Sequence, residues 1–107
     1  MSILFYDHLV DISSIEIRLT SLQLKPKKKN KFRQMIDDIL HAGILEFILQ
    51  KLDSHYHRAF LSRLEYAPYD PELLEYLKKH IDDQIEAEIA KESQRIQKLI
   101  LKDLKGK

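Results

Sequence analysis

Lysine and arginine side chains are concentrated in the segment KPKKKNKFR, residues 25–33, which holds six positive charges in a chain whose net charge is +1. Such a cluster can contact nucleic-acid phosphates or an acidic protein surface, or it can be a solvated linker. Positive side chains in the first turn of a helix oppose its dipole and cost a few tenths to about 1 kcal/mol each. We therefore expect residues 25–30 to form a basic linker, with Asn30 capping the following helix. The cluster consists of Lys25, Lys27, Lys28, Lys29, Lys31 and Arg33.

Histidine and aspartate side chains do not occur at spacings that favour a metal site or a catalytic site. His55 and His57 lie two residues apart, which on a helix directs them to different sides, and the chain has no cysteine. The pairs Asp37–Asp38 and Asp82–Asp83 are explained by helix capping and the helix dipole. Neither a glycine-rich phosphate loop nor a nucleophile elbow occurs in the sequence. We therefore expect no enzymatic activity, no cofactor, no metal ion and no small-molecule substrate.

Two tyrosines, Tyr66 and Tyr69, flank Pro68 in a loop that we expect between two helices. Amphipathic rings in such loops either anchor the loop to the core or form hot spots of protein interfaces. Both interpretations stay open at the level of sequence. The second makes these two rings candidate partner-binding residues.

The elements that position these side chains are predicted to be helices. Hydrophobic residues make up 44% of the chain and charged residues 33%, with two glycines and three prolines, which favours long helices with few turns. A length of 107 residues fits one domain. We therefore predict an all-α bundle of four to five helices in a single domain. It comprises an N-terminal helical segment (1–24), the basic linker (25–30), and a helical core with a C-terminal helix (31–104).

The clearest element is a helix over about residues 31–52, in which apolar residues recur at three- and four-residue steps. Leu45 and Leu49 widen its stripe, and we expect it to be the core helix around which the others pack. Gly43 lies on the stripe, although glycine costs about 1 kcal/mol relative to alanine within a helix. A close approach by another helix is the natural reason for it. The stripe consists of Phe32, Met35, Ile36, Ile39, Leu40, Gly43, Ile44, Phe47, Ile48 and Leu52.

Capping residues mark the starts of other helices. Residues 14–24 fit either a strand or a helix, and a capping box of Ser13 and Glu16 favours the helix. Asp70 followed by Pro71 predicts the start of a later helix, because aspartate is a preferred cap and proline suits the first helical position.

The last helix is predicted from Asp82 or Asp83 to about Leu104, with an apolar stripe that Glu92 and Ser93 interrupt. We expect this extended amphipathic helix to leave the body of the domain, so that its apolar face requires a second surface to receive it. The predicted function is a non-enzymatic protein-protein interaction module, an adaptor or subunit, that binds itself or a partner through this helix. Candidate partner-binding residues are Tyr66, Tyr69, Ile96, Leu99 and Ile100.

An alternative prediction is a non-specific nucleic-acid-binding protein that uses the basic cluster together with a basic C-terminal tail. Residues 65–90 hold eight acidic residues and two lysines, so an acidic protein surface is another destination for the cluster. The N-terminus resembles neither a secretory signal nor a membrane span, which favours a cytoplasmic location and no membrane partner. The tail consists of Lys98, Lys102, Lys105 and Lys107.

The pattern of leucines and caps from Leu19 to about Leu101 resembles an uncharacterised family of small all-helical bacterial proteins, known mostly from metagenomic lineages. The matching features are LTSLQL before a long aliphatic helix, ILQKLD at 48–53, FLSRL at 60–64 and DPELLEYLKKHIDD at 70–83. The resemblance implies a helical fold, and because no activity is assigned to that family it implies no site residue. Its members tend to have acidic residues before the long helix, where this chain has the basic cluster.

Overall fold

The computed structural model describes residues 4–105, with side chains up to residue 103, and contains no strand in that range. The predicted all-α bundle around a long central helix is therefore confirmed. Its dimensions are 45 × 24 × 20 Å. The helices are α1 (Ser13–Ser21), α2 (Pro26–Lys51), α3 (His57–Tyr66), α4 (Glu72–His80) and α5 (Ile85–Lys105), with 3-10 turns at Asp7–Leu9 and Ser54–Tyr56.

The two long helices, α2 and α5, pack against each other in antiparallel orientation. Lys51 at the end of α2 lies 3.7 Å from a carboxylate oxygen of Glu88 near the start of α5, and Gly43 lies beside Ile96. Full burial of one aliphatic side chain is worth about 1.5–3 kcal/mol, so each such side chain buried between the two helices stabilises the fold. The buried core that it forms with α3 and α4 includes Leu40, Ile44, Ile48, Leu52, Phe60, Leu73, Leu74, Leu77, Ile85, Ile89 and Ile96.

The C-terminal helix does not leave the domain, contrary to the expectation from sequence. Ser93, which seemed to interrupt its apolar stripe, is fully buried and accepts a hydrogen bond from Nε2 of the buried Gln97 at 2.9 Å. Buried polar side chains are tolerated when they are hydrogen-bonded to each other. The buried face of α5 therefore continues from Ile89 to Ile96 without a break.

Helix α2 begins at Pro26, so residues 25–30 are not the linker that the sequence predicted. Proline at the first helical position supplies a suitable φ, and its missing N–H would have no helical partner there. The residue that precedes the helix, Lys25, makes no side-chain cap hydrogen bond, and Asn30 lies in the second turn. The basic cluster is therefore presented by a helix.

Helix α1 packs against the amino-terminal half of α2. Glu16 forms an ion pair with Arg33, with 2.7 Å between the closest oxygen and nitrogen atoms. The predicted capping box is wrong, because the Asp11 carboxylate accepts the hydrogen bonds of the Ser13 N–H and hydroxyl. Those hydrogen bonds lower the pKa of Asp11. Beneath the ion pair lies a second small core of Ile15, Leu19 and Ile36.

Aspartate side chains cap the later connections, as predicted for Asp70. Asp53 and Asp70 each accept a hydrogen bond from the backbone N–H two residues later, at 3.1 and 2.9 Å. Asp82 does the same at 2.7 Å, three residues before α5 begins. These side chains satisfy backbone donors that have no helical partner.

The amino-terminal segment closes one side of the core through two buried aromatic rings. The Phe5 N–H donates a hydrogen bond to the Pro68 carbonyl oxygen at 2.8 Å. The Tyr6 hydroxyl lies 2.7 Å from Nδ1 of His41 in α2. Burial, and to a smaller extent the charge of Asp7, raises the pKa of Tyr6 far above its ordinary value. The protonated phenol can donate this hydrogen bond to the imidazole nitrogen.

Candidate interaction site

The predicted partner-binding face of α5 is occupied within the domain. Ile96 is 7% exposed and packs against Gly43, and Ile100 lies between the two hydrophobic cores. Leu99 is 54% exposed. Of the three predicted residues on this helix, Leu99 is therefore exposed, Ile100 is half-buried and Ile96 is buried.

Both tyrosines of the predicted site stand in solvent in the loop between α3 and α4. Tyr66 is 90% exposed and Tyr69 is 64% exposed. The loop is held by the hydrogen bond that the Pro68 carbonyl accepts from Phe5, so the two rings do not anchor it. They are accessible to a partner, as the interface interpretation requires.

The strongest candidate surface is an apolar strip on the exposed side of α2, with Phe32 and Leu49 at its edges packed in part against the two cores. The core prediction is wrong for Met35 and Ile39, which are 50% and 52% exposed. Ala42 is also exposed, and Phe32 and Leu49 are half-buried. With Glu46 between Ala42 and Leu49, these positions follow steps of three and four residues and so form a second stripe on the same helix. We name Phe32, Met35, Ile39, Ala42 and Leu49 the outer strip.

A shallow groove of about 580 Å³ lies along the carboxyl-terminal half of the outer strip. Its opposite wall includes His57 at the start of α3, whose Nε2 is hydrogen-bonded to the Leu52 carbonyl oxygen at 2.7 Å. This hydrogen bond holds the wall in place across the turn between the two helices. The groove is lined by Ala42, Leu45, Glu46, Leu49, Gln50 and His57.

The basic residues of the sequence meet at one end of the bundle. Because α2 and α5 are antiparallel, the start of α2 and the end of α5 lie together, and Lys29 also donates a hydrogen bond to Thr20 of α1 at 3.3 Å. The acidic segment 65–90 lies at the other end, where Lys78 and Glu86 join α4 to α5 in an ion pair that raises the pKa of Lys78. The two ends of the bundle therefore carry opposite charge, basic at one end and acidic at the other. Residues 1–3, Lys107 and the side chains of Leu104 and Lys105 lie outside the described residues.

A second groove, of about 500 Å³, lies at the basic end between α1 and the last turns of α5. Each of its two walls carries an aliphatic side chain and positive charge. The α1 wall consists of Ser14, Ile17, Arg18 and Ser21, and the α5 wall of Lys98, Leu101 and Lys102.

Comparisons with protein-family models, with curated proteins and with solved structures find no significant match to this chain. The function is therefore argued from the surfaces of the bundle alone. Among the described helices, none has the length and apolar character needed to cross a membrane. In the described part of the chain, no three His, Asp or Glu side chains are grouped so that they could hold a metal ion.

Sequence reasoning missed both the outer strip and the α1 wall of the second groove. The apolar residues of α2 cover more than half of the helix circumference, and a helix in so small a bundle cannot bury an arc of that width. That width was the available indication of an exposed strip. The residues Ile17 and Arg18 carry no comparable pattern, because only the packing of α1 beside α5 brings them together with Lys98 and Lys102.

Proposed function

We propose that this protein is a non-enzymatic interaction module that forms an antiparallel homodimer through the outer strip of α2. The observation that carries the proposal is the exposed apolar strip itself, which occupies the longest helix of the bundle. The surface replaces the C-terminal helix of the sequence-based prediction. A cytoplasmic location is part of the proposal and is supported by the absence of cysteine from the sequence.

The spacing of the strip supports another helix as its occupant. Positions 32, 35, 39, 42, 46 and 49 alternate steps of three and four residues, which is the spacing by which two helices interlock side chains. From Phe32 to Leu49 the strip runs about 25 Å. In a two-fold dimer each copy covers the strip of the other, so the half-exposed Met35 and Ile39 of both copies become buried at the same interface.

The charges on the helix favour an antiparallel orientation. Glu46 occupies a strip position, and in a parallel dimer it would face its own copy, which is unfavourable for like charges. In an antiparallel dimer whose axis passes between residues 40 and 41, Glu46 lies opposite the partner's Met35. The partner's Lys31 is then about one turn away, and the charge of Glu46 is compensated.

The basic cluster supports the same orientation. A parallel dimer would place two clusters of six positive charges side by side. An antiparallel dimer separates them by up to the length of α2, about 39 Å for its 26 residues, which exceeds the screening length in physiological salt several-fold. Each cluster then lies near the carboxyl-terminal end of the partner's α2, where the helix dipole favours positive charge.

Charge introduced into the outer strip is expected to abolish the dimer. For the double variant Met35→Glu/Ile39→Glu we expect a monomer of 12.7 kDa, against twice that mass for the natural sequence. Four carboxylates would otherwise be buried at one interface without partners. Size-exclusion chromatography with light scattering measures the mass, and circular dichroism checks that the variant is folded.

The matched control is Ile17→Glu, which changes another isoleucine that is 70% exposed but lies on α1. We expect this variant to remain a dimer. A monomeric natural protein at concentrations of about 100 µM, or dissociation by Ile17→Glu to the same extent, contradicts the proposal.

A second candidate function is non-specific nucleic-acid binding, because the fold brings the basic cluster and Lys98 and Lys102 of the tail to one end of the bundle. Phosphates would be contacted by side chains projecting from the first turns of α2. Affinity of this kind carries no sequence preference and falls steeply as salt increases.

Replacement of Lys27, Lys28 and Lys29 by glutamine is expected to weaken binding to any DNA duplex about equally and to flatten the salt dependence by about one unit of slope per lost phosphate contact. Electrophoretic mobility shifts at several salt concentrations measure both effects. Lys79→Gln, at the acidic end, is the control and is expected to change neither. The candidate is removed if the natural protein does not retard a duplex even at low salt.

A further inference from the structure

The groove between α1 and α5 has positive charge on both walls, from Arg18 on α1 and from Lys98 and Lys102 on α5. Within the described residues, no carboxylate lies within salt-bridge distance of Arg18, Lys98 or Lys102. Glu16, two residues before Arg18, is already paired with Arg33. These three cations are therefore available to an external anion.

Each helix also contributes one aliphatic side chain to the groove. Ile17 of α1 is 70% exposed and Leu101 of α5 is half-buried. Among the residues that the structure describes, no aromatic ring lines the groove, so they offer no surface on which a nucleic-acid base could stack. An occupant that matches this lining combines aliphatic side chains with negative charge.

We propose that this groove binds an acidic amphipathic helix of a partner protein, with a narrow aliphatic stripe bordered by carboxylates on both edges. The stripe packs on Ile17 and Leu101. One acidic edge lies against Arg18, and the other lies against Lys98 and Lys102. The α1 wall, from residue 14 to residue 21, spans about two helical turns, so an occupant of three to four turns covers the groove.

The proposal is independent of dimerisation, because the groove lies on α1 and α5 and the outer strip lies on α2. It also assigns a role to Lys98 and Lys102 of the basic tail, which take no part in the proposed dimer interface. It also explains why an isoleucine that is 70% exposed lies beside an arginine that has no partner in the described chain.

The experiment uses the full-length protein and a fluorescein-labelled peptide of about 18 residues, with leucine at every third and fourth position, glutamate on both sides of the leucines and alanine elsewhere. Fluorescence anisotropy at about 50 mM salt is expected to show saturable binding. A matched peptide with lysine in place of glutamate is expected not to bind, because its charges are repelled by Arg18, Lys98 and Lys102.

Charge reversal by Lys98→Glu/Lys102→Glu is expected to weaken binding of the acidic peptide at least about tenfold and to allow binding of the lysine peptide. The control is Lys27→Glu/Lys28→Glu, which makes the same change of net charge at the same end of the bundle but on α2. It is expected to change the affinity by less than about twofold.

Four results would overturn the proposal. They are the absence of saturable peptide binding, an equal loss of affinity in the two double variants, and displacement of the peptide by an equimolar duplex DNA. The fourth is dissociation of the dimer by Lys98→Glu/Lys102→Glu, which would show that a second copy of this chain occupies the groove.

Discussion

The variant Phe60→Ala is expected to lose about 3–5 kcal/mol of the free energy of unfolding. Phe60 is fully buried, meets Phe5 edge-on at a centroid distance of 6.1 Å and stacks on Tyr76 at 6.3 Å. One ring thereby joins the amino-terminal segment, α3 and α4, and its truncation leaves a cavity that three separate elements would have to fill. Urea denaturation followed by circular dichroism measures the loss.

The neighbouring variant Leu61→Ala is the control, because Leu61 is 39% exposed and is expected to cost less than about 1 kcal/mol. Both variants must be compared at one protein concentration, since association makes the apparent stability depend on concentration. Should Phe60→Ala fail to fold, Phe60→Leu leaves a smaller cavity and is expected to lose less. Equal losses for Phe60→Ala and Leu61→Ala would show that the bundle is not organised around this ring.

The variant Gly43→Leu is expected to destabilise the protein by about 1–3 kcal/mol, through overpacking between α2 and α5. A Cβ atom added at Gly43 would lie 2.7 Å from Cδ1 of Ile96, closer than two carbon atoms tolerate. The close helix approach that the sequence predicted at Gly43 is thereby confirmed. Thermal and urea denaturation measure the effect.

Gly43→Ala is the informative comparison. Its single methyl group would contact Cδ1 of Ile96, the end of a side chain that can shift to make room. Alanine also gains about 1 kcal/mol of helix propensity over glycine. We therefore expect this variant to stay close to the stability of the natural protein. The close packing of α2 on α5 is contradicted if leucine at this position is tolerated as well as alanine.

Local sequence patterns predicted the fold class, the main helices and several of their boundaries. The cap at Asp70 and the proline that follows it predicted the start of α4, because both act through the backbone within one turn. The carboxyl end of α2 was predicted at residue 52 and lies at Lys51. Signals of this kind depend on neighbours in the sequence, so a single chain is enough to read them.

The start of α2 was predicted wrongly because the cost of lysines near a helix start was taken to exceed the preference of Pro26 for the first helical position. Lysines near a helix start cost only a few tenths to about 1 kcal/mol each when exposed. Pro26 favours a helix start at its own position, and the ion pair of Arg33 with Glu16 fastens the first turns of α2 to α1. This ion pair joins residues that are 17 positions apart in the sequence, so no local pattern reveals it.

The placement of α5 and of the outer strip could not be predicted because both depend on which faces meet. Ser93 looks polar in the sequence, but its hydrogen bond with Gln97 lets it lie in the core. Met35 and Ile39 look like core residues, but no described element covers them, and they stay 50% and 52% exposed. A periodicity shows that a helix has an apolar face, and the number of neighbours decides how much of that face is buried.

The dimer proposed here explains the exposed strip, the position of Glu46 and the separation of the two basic clusters with one arrangement. An antiparallel pair of helices also predicts which positions lie side by side. Because the chain has no cysteine, disulfides between introduced cysteines can report on those positions without background.

Disulfide trapping of the double variant Met35→Cys/Glu46→Cys tests the antiparallel dimer most directly. The two positions lie about 16 Å apart along one helix, too far for a bond within one chain, but they face each other across the proposed dimer. On mild oxidation we expect a covalent dimer on a non-reducing gel from the double variant, and none from Met35→Cys or Glu46→Cys alone. A covalent dimer from Met35→Cys alone would indicate parallel helices, and the absence of any covalent dimer would contradict association through the outer strip.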